Sequence, residues 1–445
     1  LQVQTSDSSS VTNISGDRGD QASGMSNPMR WVIVFLCSLV CLLDGYDVLI
    51  APVSVPVIAA DWGVEAASFA VALTATVFGM AIGAVFLAPL GDRFGRRSVI
   101  TASFAFVGGV SLLTPYFSTT VTELALFRLV TGLALGASIA NCLALASEVA
   151  LPRLRSRVTV CVFSMSALGS VFGGMVAPII LETMGWEGLY IVGGVIPLLL
   201  VPVLFFCIPG SARLSKLLSI KSANETVDAT QSAAVAAAAP SPNGGVIHGL
   251  KMLLAPQYRS KTLLLWVLYF ICLFTMYVMS SWLPTLIHLY GWSIDIAVRT
   301  IMVFSLGGVM GGFAIGWLVD NGHTAIALSI GFCLSAIAMG LLPFVPAEIW
   351  IWMILITVIG GGIIGVSYAI AALAAIVYPP NLRAGGIGTA SAMGRLGATI
   401  APIVGGWFIA RGATVVQILT GLIWPVLLGL IIVFLFSKVL NVKVE

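Results

Sequence analysis

The chain has 445 residues, of which 59% are hydrophobic and only 9% are charged, and its formal net charge is +3 at pH 7. A soluble domain carries about a quarter charged residues, so the composition excludes a soluble globular protein. The small net charge gives no reason to expect a nucleic-acid partner. Seven cysteines, scattered singly through apolar runs, predict neither a disulfide framework nor a metal site.

Apolar runs of about 20 residues recur along the chain, and each is long enough to cross a lipid hydrocarbon core of about 30 Å as a helix. The runs predict an all-α membrane protein with twelve transmembrane helices. The predicted helices cover residues 30–58, 66–90, 97–117, 120–150, 157–182, 186–208, 260–290, 296–319, 324–344, 347–378, 384–410 and 413–438.

A polar stretch separates the first six predicted helices from the last six. The predicted organisation is a disordered tail (1–28), a six-helix bundle (29–208), a linker (209–258), a second six-helix bundle (259–438) and a short tail (439–445). Lys and Arg concentrate in the linker and in the loops after the second and fourth helices. Both tails and the linker are therefore predicted to be cytoplasmic.

The first helix contains two acids in the sequence Asp44-Gly45-Tyr46-Asp47. A charge at bilayer depth costs about 3 kcal/mol or more, so such residues usually face a cavity and serve ions or substrate. Positions i and i+3 share one face of a helix. We therefore expect two titratable carboxylates beside a transport path. Which of them carries a proton stays open, with Asp47 preferred.

Two arginines interrupt other apolar helices. Arg128 lies about 13 Å from the outer end of the fourth helix, at a depth that overlaps with Asp44 and Asp47. It is expected either to form a static ion pair or to form a pair that breaks when aspartate is protonated. Arg395 lies near the midplane of the eleventh helix, where its planar guanidinium suits a carboxylate. It is expected to anchor an anionic substrate; a fixed counter-charge to Asp47 or another acid is the competing interpretation.

The two halves of the chain repeat each other. Leu90-Gly91-Asp92 after the second helix is echoed by Leu318-Val319-Asp320 after the eighth. The residues from Pro152 to Arg155 are echoed by those from Pro380 to Arg383, and both pairs of motifs are 228 positions apart. This order argues for a duplicated six-helix unit, which is typical of secondary transporters.

Residues 88–97 read Ala-Pro-Leu-Gly-Asp-Arg-Phe-Gly-Arg-Arg. They resemble the signature G-x-L-x-D-R-x-G-R-R between the second and third helices of the major facilitator superfamily, with Ala88 in place of the first glycine. The Asp44–Asp47 motif resembles the D-G-x-D of the aromatic acid:proton symporter family within that superfamily. Arg128 and Arg395 also match this family.

The resemblance implies the major facilitator fold of two six-helix pseudo-repeats in a bacterial inner membrane. It implies import of an aromatic carboxylate, such as a hydroxybenzoate, gentisate, benzoate or a related muconate, together with protons. Asp44 and Asp47 become the coupling acids with Arg128 as their partner, and Arg395 becomes a substrate or coupling residue. No enzyme activity and no cofactor are expected, and the protein is expected to work as a monomer.

In the superfamily the basic loop gates the cytoplasmic side. The residues expected at this gate are Asp92, Arg93, Arg96, Arg97, Glu148, Arg155 and Asp320. Aromatic side chains suit an aromatic substrate because rings stack on one another. Tyr46, Tyr277 and Tyr368, with Ser367, are expected to contact the substrate, and lipid-facing packing is the alternative for each tyrosine.

Three other functions remain open from the sequence. A symporter of another organic anion, such as a sugar acid, would keep the same charged residues. A drug or metabolite proton antiporter would carry G-x-x-x-G-P-x-x-G-G in the fifth helix, but the closing glycines are missing after Pro178. A sensor on a transporter fold would need a signalling domain, and the sequence of the linker does not indicate one.

Overall fold

The computed structural model describes residues 27–151, 154–210, 251–346, 348–378 and 380–440. Most of the predicted N-terminal tail, linker and C-terminal tail lies outside these residues, so the predicted domain boundaries stay a prediction. The described part is helical. Its helices are α1 (Asn27–Trp62), α2 (Ala70–Ile82), α3 (Leu90–Phe94), α4 (Arg96–Phe117), α5 (Val121–Val149), α6 (Arg155–Cys207), α7 (Pro256–Leu289), α8 (Ile294–Asp320), α9 (Thr324–Leu341), α10 (Ile349–Val377), α11 (Pro380–Ala410), α12 (Val415–Gly421) and α13 (Ile423–Leu440).

Eleven helical segments in the described part are long and apolar enough to cross a membrane. One of them is α6, whose 53 residues would extend about 80 Å at 1.5 Å per residue. This length exceeds twice the thickness of a hydrocarbon core of about 30 Å. Gly185 breaks α6 with φ 69° and ψ −167°, a backbone conformation that suits glycine. Residues 155–184 and 186–207 therefore form two separate spans, and the total is the predicted twelve.

The helices before the linker form an N-terminal half (α1–α6), and those after it form a C-terminal half (α7–α13). Within the N-terminal half α1 packs on α6, and α2 packs on α5. Gly132 and Gly136 of α5 lie against the carbonyl oxygens of Thr76 and Met80 in α2. These two glycines therefore allow α2 and α5 to pack closely.

The two halves meet through α2 with α11, α6 with α8, and α1 with α7. Gly406 of α11 packs on Ala70, which begins α2, and Gly174 of α6 packs on Met302 of α8. Nearer the end of the bundle that carries the basic loops, the rings of Phe163 in α6 and Tyr368 in α10 meet edge to face with centroids 6.0 Å apart.

The backbones of α1 and α6 approach each other closely where the two helices cross. A Cβ atom on Gly45 would overlap with the carbonyl oxygen of Ser166, and one on Gly169 would overlap with the carbonyl oxygen of Leu42. No side chain fits between the two backbones at either glycine. The crossing therefore requires glycine on both helices, and it fixes how the face of α1 that carries the aspartates lies on α6.

Gly169→Ala is expected to lower the melting temperature of the purified protein in detergent, because overpacking at a backbone crossing costs about 1–3 kcal/mol. Gly109→Ala in α4 is the matched control, since nothing lies within 4 Å of a Cβ atom at that position. The control should be neutral or stabilising, because alanine forms helices better than glycine by about 1 kcal/mol. Equal melting temperatures for the two variants would contradict the tight crossing.

Candidate functional site

The structure joins Asp47 of α1 to Arg128 of α5 in an ion pair. The distance from Arg128 Nη1 to Asp47 Oδ2 is 3.3 Å, and both side chains are buried, with exposed fractions of 0% and 3%. The sequence predicted that these residues lie at the same depth. Since a buried charge is tolerable only when it is paired, the structure gives each ion its partner.

Tyr190 of α6 completes the surroundings of Arg128. Its ring lies 4.9 Å from the guanidinium carbon, within the range of a cation–π interaction. Its hydroxyl is hydrogen-bonded to the hydroxyl of Ser54 at 3.1 Å. A cavity of about 10 Å³ borders Asp47 and is lined by residues of the N-terminal half, such as Phe104. Asp47 and Arg128 are thus enclosed within one half.

Asp44 lies in a different environment although it is only one turn away on the same helix. Its Oδ2 accepts a hydrogen bond from Ser166 Oγ of α6 at 3.0 Å. Its Oδ1 is buried and has no hydrogen-bond partner among the described residues. No cation lies within salt-bridge distance of Asp44 in the described part of the chain. Asp44 is therefore a buried acid held by a neutral donor.

Tyr277 of α7 connects Asp44 to the opposite half. Its phenol lies within electrostatic range of both the Asp44 carboxylate and the Arg395 guanidinium. Arg395 lies midway along α11, is exposed, and has no acidic partner among the residues that the structure describes. The predicted counter-charge interaction with Asp47 is not formed, because Arg128 occupies that carboxylate. One tyrosine of the C-terminal half thus lies within electrostatic range of a buried acid of the N-terminal half and of an exposed arginine of its own half.

The other predicted substrate residues divide into two groups. Tyr46 packs its ring against Gly173 and Gly193 and donates its hydroxyl hydrogen to the carbonyl of Leu189 at 3.1 Å. It is therefore engaged in the packing of the N-terminal half, and a substrate contact by Tyr46 stays a prediction.

Tyr368 and Ser367 lie together on α10, and both are half-buried. The Tyr368 ring contacts Phe163 of the N-terminal half. The Ser367 hydroxyl donates to the carbonyl of Ile364 at 2.6 Å, within its own helix. Tyr368 thus lies where the halves meet, and a direct substrate contact by either residue stays a prediction.

Part of the predicted gate comes together at the basic end of the bundle. Arg96 Nη2 lies 2.6 Å from Glu148 Oε1 and 3.2 Å from Asp92 Oδ1, and Arg155 lies within electrostatic range of Glu148. These contacts join α3, α4, α5 and the start of α6, all of them in the N-terminal half. The cluster therefore ties one half together, and its action as a gate between halves stays a prediction.

The remaining gate candidates lie apart from this cluster. Arg97 donates to the carbonyl of Phe205 at 3.2 Å and so secures the end of α6, while Arg93 lies over the ring of Phe94 at 5.3 Å. Asp320 is exposed at the end of α8 and forms no ion pair with any residue that the structure describes.

Sequence reasoning missed Ser166, Tyr190 and Phe163. One signal pointed to the first of them: Ser166, Gly169, Ser170 and Gly173 form a run of small residues at helical spacing. Such a run indicates a close helix partner in a membrane. The sequence does not say that this partner is α1, nor that a serine in the run reaches Asp44.

Comparisons with known proteins agree on one family. Residues 35–384 match the family model described as Major Facilitator Superfamily. The "4-hydroxybenzoate transporter PcaK" of Pseudomonas aeruginosa is 32% identical over 412 residues, which cover 91% of this chain and 91% of that protein. The "Gallate transporter" of Pseudomonas putida is 31% identical over 390 residues, which cover 86% of each.

A solved structure shows the same fold. The crystal structure of a D-xylose-proton symporter matches with a TM-score of 0.66 at 16% sequence identity, and the match covers 92% of this chain and 97% of that one. The predicted fold of twelve helices in two six-helix repeats is therefore confirmed.

The buried ion pair can be tested by a double-mutant cycle on stability. Arg128→Gln and Asp47→Asn each leave one buried group without its partner, and the loss of one partner of a buried ion pair costs about 3–5 kcal/mol. Combining the two substitutions should cost less than the sum of the single losses, because neither charge is then left alone. Melting temperatures in detergent measure the effect, and strictly additive losses would show that the two residues do not interact.

Proposed function

The chain belongs to the Major Facilitator Superfamily and is a multi-pass membrane transporter of the bacterial inner membrane, and from this premise we propose that it is a symporter that imports a small aromatic carboxylate together with protons. Its curated relatives include transporters named for 4-hydroxybenzoate and for gallate. Both compounds are aromatic carboxylates, and this supports the proposed substrate class.

The observation that carries the proposal is a buried acid, Asp44, which accepts a hydrogen bond from Ser166 at 3.0 Å, while Tyr277 of the opposite half lies within electrostatic range of both Asp44 and Arg395. Arg395 is exposed and lies midway along α11, as an anchor for a bound carboxylate requires. Its planar guanidinium can donate two parallel hydrogen bonds to such a group. The half-buried ring of Tyr277 offers a face for an aromatic substrate. Asp44 lies across the interface as an acid that can gain or lose a proton.

The surroundings of the two aspartates support a division of roles. Asp47 is paired with Arg128, and that pair is covered by Tyr190, so protonation of Asp47 would leave a buried cation alone. Among the described residues Asp44 has the neutral donor Ser166 and no cation within salt-bridge distance, so its protonation strands no opposite charge there. We therefore assign the transported proton to Asp44, contrary to the preference for Asp47 drawn from the sequence.

In the proposed cycle the two halves move against each other around the bound substrate, as in transporters built from repeats. Loading a proton on Asp44 and a carboxylate on Arg395 neutralises both charges before the site closes. Closure and opening must break contacts between the halves, such as those of Gly406 with Ala70 and of Phe163 with Tyr368. The arginine-rich loops support a cytoplasmic position for the basic end and for both termini.

Purified protein in proteoliposomes is expected to accumulate benzoate, 4-hydroxybenzoate or gallate when the outside is acidic. Accumulation should collapse when a protonophore removes the pH gradient, because the proton supplies the driving force. Labelled uptake across this panel measures the effect, with a sugar acid as the competing anion. Proton-driven uptake of the sugar acid alone would exclude the aromatic substrate class. Uptake that is unchanged by the protonophore would exclude proton symport.

Arg395→Gln is expected to raise the KM for the transported acid by about tenfold or more, since a hydrogen-bonded charge pair contributes about 1.5–3 kcal/mol. Arg411→Gln is the matched control. Arg411 lies just beyond the end of α11 and stacks on Trp407 at 3.6 Å, remote from Asp44. The control should leave the KM unchanged, and an unchanged KM for Arg395→Gln would remove this arginine from the substrate site.

A further inference from the structure

Hydroxyl groups along α6 donate hydrogen bonds to two kinds of acceptor. Thr159 and Ser164 donate to carbonyl oxygens four residues earlier in their own helix, at 2.9 and 2.8 Å, as serine and threonine commonly do in helices. Ser166 and Ser170 instead reach across to α1. Ser166 donates to the Asp44 carboxylate at 3.0 Å, and Ser170 donates to a backbone carbonyl beside it at 2.8 Å.

We propose that Ser166 is a positioning residue, which holds Asp44 and sets the pH range over which this carboxylate takes up and releases the transported proton. The proposal rests on the proton symport proposed above. It assigns the coupling function to a pair of residues on two helices rather than to the acidic motif of α1 alone.

The chemistry of a hydroxyl suits this role. A hydroxyl can donate to an ionised carboxylate and, after rotation, accept from a protonated one. Donation stabilises the charged form of the acid. Because Asp44 is 3% exposed and its Oδ1 has no partner in the described part of the chain, Ser166 supplies the hydrogen bond that stabilises the charged carboxylate there.

Other charged and titratable groups face Asp44 from several elements, and none of them replaces Ser166. Within electrostatic range lie Cys41 and Asp47 of α1 and Tyr277 of α7. The thiol, the second acid and the phenol all disfavour a negative charge on Asp44 when they are ionised. Arg128 of α5 is directed to Asp47, and Arg395 of α11 forms no ion pair with Asp44 in the part of the chain that the structure describes.

The position of Ser166 also links the acid to the movement of the halves. On the same helix, Phe163 contacts Tyr368 and Gly174 contacts Met302, and both partners belong to the C-terminal half. The segment of α6 that senses the charge of Asp44 is thus the segment that meets the opposite half. A change in the hydrogen bond at Asp44 therefore acts on a helix at the interface.

The test compares Ser166→Ala with Ser166→Thr and with the matched control Ser170→Ala in proteoliposomes. Initial uptake of 4-hydroxybenzoate, or of whichever panel acid the unchanged protein accumulates, is measured from about pH 5 to about pH 9. Removing the donor makes the protonated acid easier to form. The pH of half-maximal uptake should therefore move upward by about one unit in Ser166→Ala, and should stay in place in Ser166→Thr and Ser170→Ala.

Two results would overturn the assignment. The first is a Ser166→Ala profile identical to that of the unchanged protein. The second is an equal shift in Ser170→Ala, which would indicate a packing effect of the crossing. In an Asp44→Asn background, Ser166→Ala should not shift the pH of half-maximal uptake any further. The carboxyl group whose protonation Ser166 influences is then missing.

If the chain takes up no aromatic acid, the proposed function is refuted but the assignment of Ser166 is not. A measurement of stability tests that assignment separately. Since Ser166 stabilises the charged form of Asp44, Ser166→Ala should lower the melting temperature more at alkaline pH than at acidic pH. The loss caused by Ser170→Ala should not change with pH. A pH-independent loss in Ser166→Ala would contradict the assignment.

Discussion

The cost of a charge in an apolar interior governs the structure of the N-terminal half. Arg128 is completely buried, and it is tolerable there only because Asp47, on another helix, gives it an opposite charge. This requirement aligns α1 with α5 at one depth and draws Tyr190 of α6 over the guanidinium. Three helices thereby meet at one ion pair.

The structure of the N-terminal half also depends on small residues where helices cross. Gly45 and Gly169 bring the backbones of α1 and α6 so close that serine hydroxyls on α6 reach atoms of α1 directly. A longer side chain at either glycine would separate the helices and leave the acid without a donor. The same packing that holds the helices together therefore determines the chemical surroundings of Asp44.

These two conditions make chemically identical aspartates unequal. Asp47 is paired with a buried cation inside one half, and the loss of one partner of such a pair is costly. Asp44 has a neutral donor, Ser166, and lies within electrostatic range of a tyrosine of the opposite half. The proposed symport needs a charge that can be neutralised without unfolding its surroundings, and we therefore assign this role to Asp44. In the same proposal Arg395, in the other half, binds the anionic substrate.

Much of this protein followed from its sequence. The number of spans and the duplicated halves were predictable because hydrophobic run length and internal repetition are local properties of the chain. The depth of Arg128 followed from counting residues along its helix. The partner of each aspartate could not be predicted from the sequence. Residues three apart on a helix point in directions that differ by only about 60°, so the rotation of α1 against its neighbours decides which acid meets Arg128 and which meets Ser166. That rotation depends on the backbone crossing at Gly45 and Gly169, a contact between segments more than 100 residues apart, and only the tertiary structure brings them together.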